Sequence, residues 1–233
     1  MDKIDEIISA YNLLVIGIEA KANDDESERA YGGIIRAGKG MLVENITKLI
    51  LEIAWHKIGG KADRINFEKQ TKKLPIREEY INQLTNAEVK NFILENLDNY
   101  YYTLKTDVHC NIDGELAIGV ECKAYTENAM MKRILVDFTL MKHAWPNLNC
   151  FLIQLESQLG GDYSLIQKTI KTGSPSTHTL FSYFSVDLEI VTLLEGERKV
   201  DKAIHKPDYY KELTRAALDN AVAQFQGALK KFL

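Results

Sequence analysis

Asp107, Glu121 and Lys123 have the types and spacing to bring two carboxylates and an ammonium to one point. Carboxylates held side by side repel unless a positive charge lies between them, and a divalent cation would supply it. Hard oxygen donors suit Mg²⁺, which is held by one or two carboxylates and keeps waters that can become nucleophiles. Lys123, two residues after Glu121, could hold an attacking water or steady negative charge growing on a phosphate. Glu-x-Lys alone is a short motif, and most such tripeptides are solvated strand faces. Its weight depends on the elements that position it.

Residues 105–125 read as a β-hairpin. Leu116, Ile118, Val120, Cys122 and Ala124 alternate with Ala117, Gly119, Glu121, Lys123 and Tyr125, the period of a half-buried strand. In the preceding strand Val108, Cys110 and Ile112 alternate with Asp107, His109 and Asn111. Asp113-Gly114 marks the turn. Register decides the chemistry, because a one-residue slip moves every side chain to the other face. A two-residue loop pairs Asp107 with Val120 on the apolar side. A three-residue loop, 112–114 with Gly114 in a left-handed bulge, pairs it with Gly119 and gathers Asp107, Glu121 and Lys123 on one face, so the sequence predicts the longer loop.

Asp107 followed by Gly119-Val120-Glu121-Cys122-Lys123 resembles the core of the PD-(D/E)XK nuclease superfamily. Among its members the chain looks most like a Type II restriction endonuclease, over residues 40–156: a helix containing Glu44, the hairpin, a helix from Thr126, and a strand over 148–156. The resemblance implies a Mg²⁺-dependent endonuclease that cuts double-stranded DNA to 5′-phosphate and 3′-hydroxyl ends, acting as a homodimer on a palindrome. It assigns the metal to Asp107, Glu121 and the main-chain carbonyl of Cys122, and the attacking water to Lys123. Glu44, on a helix before the hairpin, is a further carboxylate for the metal region, beside its plain reading as an exposed helical glutamate. The family's proline before the aspartate is Thr106 here, which leaves Asp113 as a rival aspartate, although a turn with a following glycine already accounts for Asp113.

The net charge of −4 gives no global attraction to phosphate, so DNA binding would need local basic surface and would depend on salt. Lys132 and Arg133, just after the catalytic strand, and Gln158, Lys168 and Lys171, after the next strand, are the candidate DNA contacts; Lys57, Lys61, Arg64, Lys69, Lys72 and Lys73 form an earlier basic cluster. The default for each is a solvated charge. There is no P-loop, no paired metal-ligand histidines and no Gly-x-Ser-x-Gly. His109 could border the metal site, but reads more simply as a surface histidine. Cys110, Cys122 and Cys150 fall in core strands, which favours buried thiols over disulfides or zinc. No apolar run approaches a membrane span and the first residues do not read as a secretory signal, so a cytoplasmic protein is expected.

The rest of the pattern places these residues in an α/β fold, a mixed central β-sheet flanked by helices. Helices are predicted over 2–22 (Ile4, Ile7, Ile8, Leu14, Ile18), about 41–56 (Leu42, Ile46, Leu49, Ile50, Ile53) and within 77–99, capped by Thr85 with Glu88. Another follows Thr126 with Met130, Met131, Ile134, Leu135, Phe138 and Met141, and the last spans 209–229. Residues 23–29 read as a loop, and 149–155 and 184–194 as strands. The expected organisation is a single domain over 1–233, with a catalytic core at about 40–156, a DNA-contact segment at 157–180 and a C-terminal strand and helix over 181–233. Two other functions fit the same residues: a repair, junction-resolving or mobile-element nuclease of this fold, and a non-catalytic DNA-binding module whose acidic hairpin is incidental.

Overall fold

The computed structural model describes residues 3–23, 28–164, 173–204 and 206–233, the side chains of 16–37 and 207 excepted. The chain runs α1 (Lys3–Asn23), α2 (Glu28–Lys57), β1 (Ile65–Asn66), β2 (Lys72–Pro75), α3 (Glu78–Gln83), α4 (Ala87–Glu95), β3 (Tyr101–Leu104), β4 (Val108–Ile112), β5 (Glu115–Glu127), α5 (Asn128–Ala144), β6 (Asn149–Gln158), α6 (Pro175–Ser182), β7 (Leu188–Thr192) and α7 (Arg215–Leu229). The main sheet has the order β1-β4-β5-β6-β7, and β2 and β3 form a separate ribbon. β1, β4 and β5 pair antiparallel, as a short turn allows, while β5, β6 and β7 pair parallel across connections that carry α5 and α6.

Each face of the sheet has its own core. On one, α1, α2 and α7 bury Tyr11, Val43, Ile50 and Trp55 against Val120 and Ile153, and Phe151 stacks on Phe225 with ring centroids 4.5 Å apart. On the other, Met131, Ile134 and Phe138 of α5 pack with Leu104, Leu116 and Leu152, joined at the edge by Leu74 of the ribbon and Leu180 of α6. Among the described residues no helix is long and apolar enough to cross a membrane. All three cysteines are buried free thiols in β4, β5 and β6.

The hairpin takes neither of the two expected registers. Asp113 and Gly114 have φ of 53° and 82°, both left-handed, and Ile112 faces Glu115, so the loop has two residues, a geometry that Asp-Gly favours. The pairing then slips: Asn111 faces Leu116, but Cys110 faces Ile118, leaving Ala117 as an extra residue in a β-bulge. Its carbonyl accepts a hydrogen bond from Asn149 Nδ2 at 2.8 Å. The bulge changes the phase of the strand. Leu116, expected beside Ile118, packs in the α5 core, whereas Ala117, Ile118, Val120 and Cys122 pack in the α2 core. Continuing the ladder from His109↔Gly119 and Val108↔Val120 brings Asp107 opposite Glu121, not Gly119.

Other boundaries shifted for local reasons. α2 begins at Glu28, well before 41, and runs through the glycines at 32, 33, 38 and 40. The buried line of α1 runs through Ile4, Ile7, Tyr11 and Val15, with Leu14 exposed, and Leu49 of α2 is likewise exposed. α4 is capped by Asn86, whose side chain accepts from the Val89 amide, not by Thr85. Thr126 is still strand, so α5 starts at Asn128. β7 is confined to Leu188–Thr192, and α7 starts at Arg215 with Thr214 as its cap. Residues 23, 28 and 29 of the expected loop are helical, since α1 ends at Asn23 and α2 starts at Glu28; 24–27 and the side chain of Ile18 lie outside the described residues.

Candidate active site

Asp107 lies in the bend just before β4, and Glu121 and Lys123 stand on β5 two residues apart, on the side facing α5. Lys123 Nζ is 2.8 Å from Asp107 Oδ2 and 2.6 Å from Glu121 Oε2, so one ammonium bridges both carboxylates. The Cys122 amide also donates to Asp107 Oδ2, at 2.8 Å, which fixes that carboxylate against the middle of β5. In an extended strand the N–H and C=O of one residue point toward the same neighbouring strand. The Cys122 carbonyl therefore faces the same side as its amide, toward Asp107. Thr106, just before Asp107, is buried and holds the bend by donating Oγ1 to the Val108 carbonyl at 3.0 Å.

The electrostatics follow from burial. Glu121 is only 9% exposed, and burial pushes its pKa up to about 7, with the Asp107 charge adding to the rise and Lys123 opposing it. Burial also works against the Lys123 ammonium, but Glu121 and Asp107 outweigh it and hold the lysine more firmly protonated than usual. The three groups open into a groove of about 540 Å³ lined also by Lys69, residues 102–106, and Met130, Arg133, Ile134 and Asp137 of α5. Among the described residues no three His, Cys, Asp or Glu side chains are gathered closely enough to form a metal cluster by themselves. The local donors are the two carboxylates and the Cys122 carbonyl, an all-oxygen set in which the ammonium already sits where positive charge is favoured.

The remaining sequence-predicted residues separate. Glu44 does not line the groove. It stands at its margin, 3.7 Å from Lys69 Nζ in an ion pair, and with Asp107 and Glu121 it is one of the acids that, after burial, raise the Cys122 thiol pKa. Arg133 lines the groove, 3.7 Å from Asp137, whereas the adjacent Lys132 is exposed on α5 outside the lining. Gln158 ends β6 and accepts from Arg198 Nη1, while Arg198 also lies over the Tyr125 ring at 3.7 Å. Lys168 and Lys171 lie outside the described residues. Asp113 is occupied at the surface by Arg64, 2.7 Å away.

His109 is fully buried, not a surface residue. The Gln70 amide lies 2.8 Å from its Nδ1 and the Thr106 amide 3.0 Å from its Nε2, and a neutral imidazole, with one lone-pair nitrogen, accepts from one of the two. Protonating the ring would remove that one acceptor and set N–H against N–H on both sides, and burial, with Lys69 nearby, lowers its pKa. The early basic cluster also disperses: Lys57 pairs with Asp219, Arg64 with Asp113, and Lys72 and Lys73 lie over the rings of Trp145 and Tyr101, so that of its members Lys69 alone lines the groove. Of the other groove residues, Lys69 stood out in the sequence only as one of the early basic cluster, and Tyr102, Thr103, Lys105 and Asp137 did not stand out as site residues. They come from separate segments that only the folded sheet brings together.

No protein-family model matches the chain. Among solved structures, one titled "native BbvCI A2B2 tetramer at low resolution" is 13% identical, with a TM-score of 0.39 over 97% of this chain and 88% of that one. Sequence comparison is far stronger: the Type II restriction enzyme DdeI of Desulfomicrobium norvegicum (strain DSM 1741 / NCIMB 8310) is 46% identical over 231 residues, which span 97% of this chain and 95% of the relative. With nearly half the residues identical along almost the whole of both chains, this protein belongs to the family of the Type II restriction enzyme DdeI and is a site-specific endonuclease.

Proposed function

We propose that this endonuclease is a Mg²⁺-dependent enzyme of the PD-(D/E)XK type that recognises a sequence in double-stranded DNA and cuts both strands as a homodimer. The observation that carries this reading is the single ammonium of Lys123 bridging Asp107 and Glu121 in a groove that also displays Arg133. Asp107, Glu121 and the Cys122 carbonyl would hold the metal, and Glu44, paired with Lys69 at the groove margin, is the further carboxylate that would join them. When bound, Mg²⁺ supplies a polarising charge on phosphate oxygen and a water of lowered pKa.

This chain's own residues do the positioning. The Cys122 amide orients Asp107, and the buried bend at Thr106 sets the height of that carboxylate relative to β5. Lys123 has a charge to offer where negative charge grows in the transition state, on the attacking water or on the phosphate. Water oxygen bonds to phosphorus, the bond from phosphorus to the 3′ oxygen breaks, and the proton ends on that oxygen, leaving 5′-phosphate and 3′-hydroxyl ends. Arg133 is the described candidate best placed for the backbone, with Lys132 and Gln158 further out and Lys168 and Lys171 on the segment after β6. A cytoplasmic location is part of the same proposal, since the substrate of such an enzyme is DNA entering the cell.

Incubation with long DNA of mixed sequence tests the reading. Discrete fragments should form with Mg²⁺ or Mn²⁺, and Ca²⁺ should support binding with little cutting, because its looser coordination activates water less well. A smear or structure-selective nicking would favour a repair or resolving nuclease, and full activity in excess chelator would remove the metal from the account.

A further inference from the structure

His109 and Asn111 form the polar side of β4, are wholly buried, and take no part in the chemistry described above. Both are spent on one short stretch of chain. Asn111 Nδ2 donates to Asn66 Oδ1 at 2.9 Å and to the Glu68 carbonyl at 3.0 Å, and the Gln70 amide packs against His109 Nδ1 at 2.8 Å. Gln70 Nε2 adds a hydrogen bond to the Gly114 carbonyl at 3.0 Å. The residues on either side of Lys69 are thus tied to the hairpin by buried side chains, although 67–71 has no regular secondary structure of its own. An irregular segment anchored in this way holds its middle residue in place, and that residue is a lysine lining the groove.

We propose that Lys69 is a phosphate-binding residue of the DNA groove, presented there by the His109 and Asn111 tether. The proposal rests on the DNA-cleavage reading and adds a contact to it. Lys123 is committed to two carboxylates at 2.8 and 2.6 Å, whereas Lys69 pairs with Glu44 at a looser 3.7 Å and has a side chain that is half exposed. Such a cation can turn toward a DNA phosphate without breaking a short bond. Its charge acts on the same groove as Arg133 and Lys105, which gives a chain of net charge −4 local attraction where a phosphate backbone would lie. Contact to a phosphate carries no base information, so the effect should be equal on all sequences.

DNA binding in Ca²⁺ across a salt series, with single-turnover cleavage in Mg²⁺, tests this directly. Lys69→Ala should bind specific and random DNA about tenfold more weakly at 0.1 M salt and should lower the salt slope by about 1, the signature of one lost phosphate contact. Lys69→Arg should recover most of both, and Lys57→Ala, which removes a lysine paired with Asp219 away from the groove, should change neither. The cleavage rate of Lys69→Ala at saturating enzyme should stay within a few fold of wild type. Wild-type affinity and slope in Lys69→Ala would overturn the contact while leaving the nuclease reading intact. A large loss of saturating rate with unchanged affinity would overturn it too, and would assign Lys69 to holding Glu44. If wild-type protein neither binds nor cuts DNA, both readings fall together.

Discussion

Glu121 occupies a position where ionisation is costly, and this gives the site a measurable pH signature before any metal is added. Its pKa in the folded protein is raised from 4.5 to about 7, chiefly by burial. A raised carboxyl pKa favours the protonated folded state, so the contribution of Glu121 to stability is fully present below about pH 4.5 and is lost as pH rises through about 7. Glu121→Gln is neutral at every pH. Calorimetry of metal-free protein should therefore show this variant melting above wild type at pH 8, with the two midpoints converging near pH 4.5. Wild type melting higher at pH 8 would mean that Lys123 outweighs burial. Glu121 and Lys123 were legible in the sequence because a period of two sets both on one strand face. His109 was not, because the segment that buries it lies some forty positions earlier and has no periodicity to reveal where it folds.

Elements were legible where their signal was local. The helices of the α5 and α7 regions, the parallel strand β6 and the hairpin all follow from apolar spacing and turn chemistry. The bulge at Ala117 was not, since an extra alanine in an apolar run looks like any other strand residue until its partner is known. The starts of α1, α4 and α5 were read to within a residue or two, those of α2 and α7 were not, and α4 shows how a start is decided. Thr85 and Asn86 are both good caps, and only the hydrogen bond to Val89 chooses between them. Asn86→Ala should destabilise α4 by about 1 kcal/mol, read as roughly fivefold faster hydrogen exchange of its amides, while Thr85→Ala should change exchange little. The opposite ranking would return the cap to Thr85. α4 is a sensitive reporter because it buries Ile93 while Val89, Phe92 and Leu94 stay exposed, so its own capping contributes much of its stability.

For the molecule as a whole, the fold serves to bring three separated segments to one edge of a groove. The α2 and α7 layer supports β5 from behind, α5 closes the other face and contributes Arg133, and the irregular chain before β2 delivers Lys69. The mixed sheet flanked by helices was evident from the order of patterns, but the groove lining was not, because it depends on which segments the sheet places side by side. Everything proposed for activity meets at Lys123. A lysine that acts on charge in the transition state affects the rate and leaves binding largely intact, whereas one that merely grips DNA would do the reverse. The most direct test is single-turnover cleavage by Lys123→Ala at saturating enzyme in Mg²⁺, with specific affinity measured in Ca²⁺ at fixed salt. A fall in rate of roughly a hundredfold or more with affinity nearly unchanged is the predicted result; near-normal cleavage would contradict the assignment of Asp107, Glu121 and Lys123 as the catalytic centre.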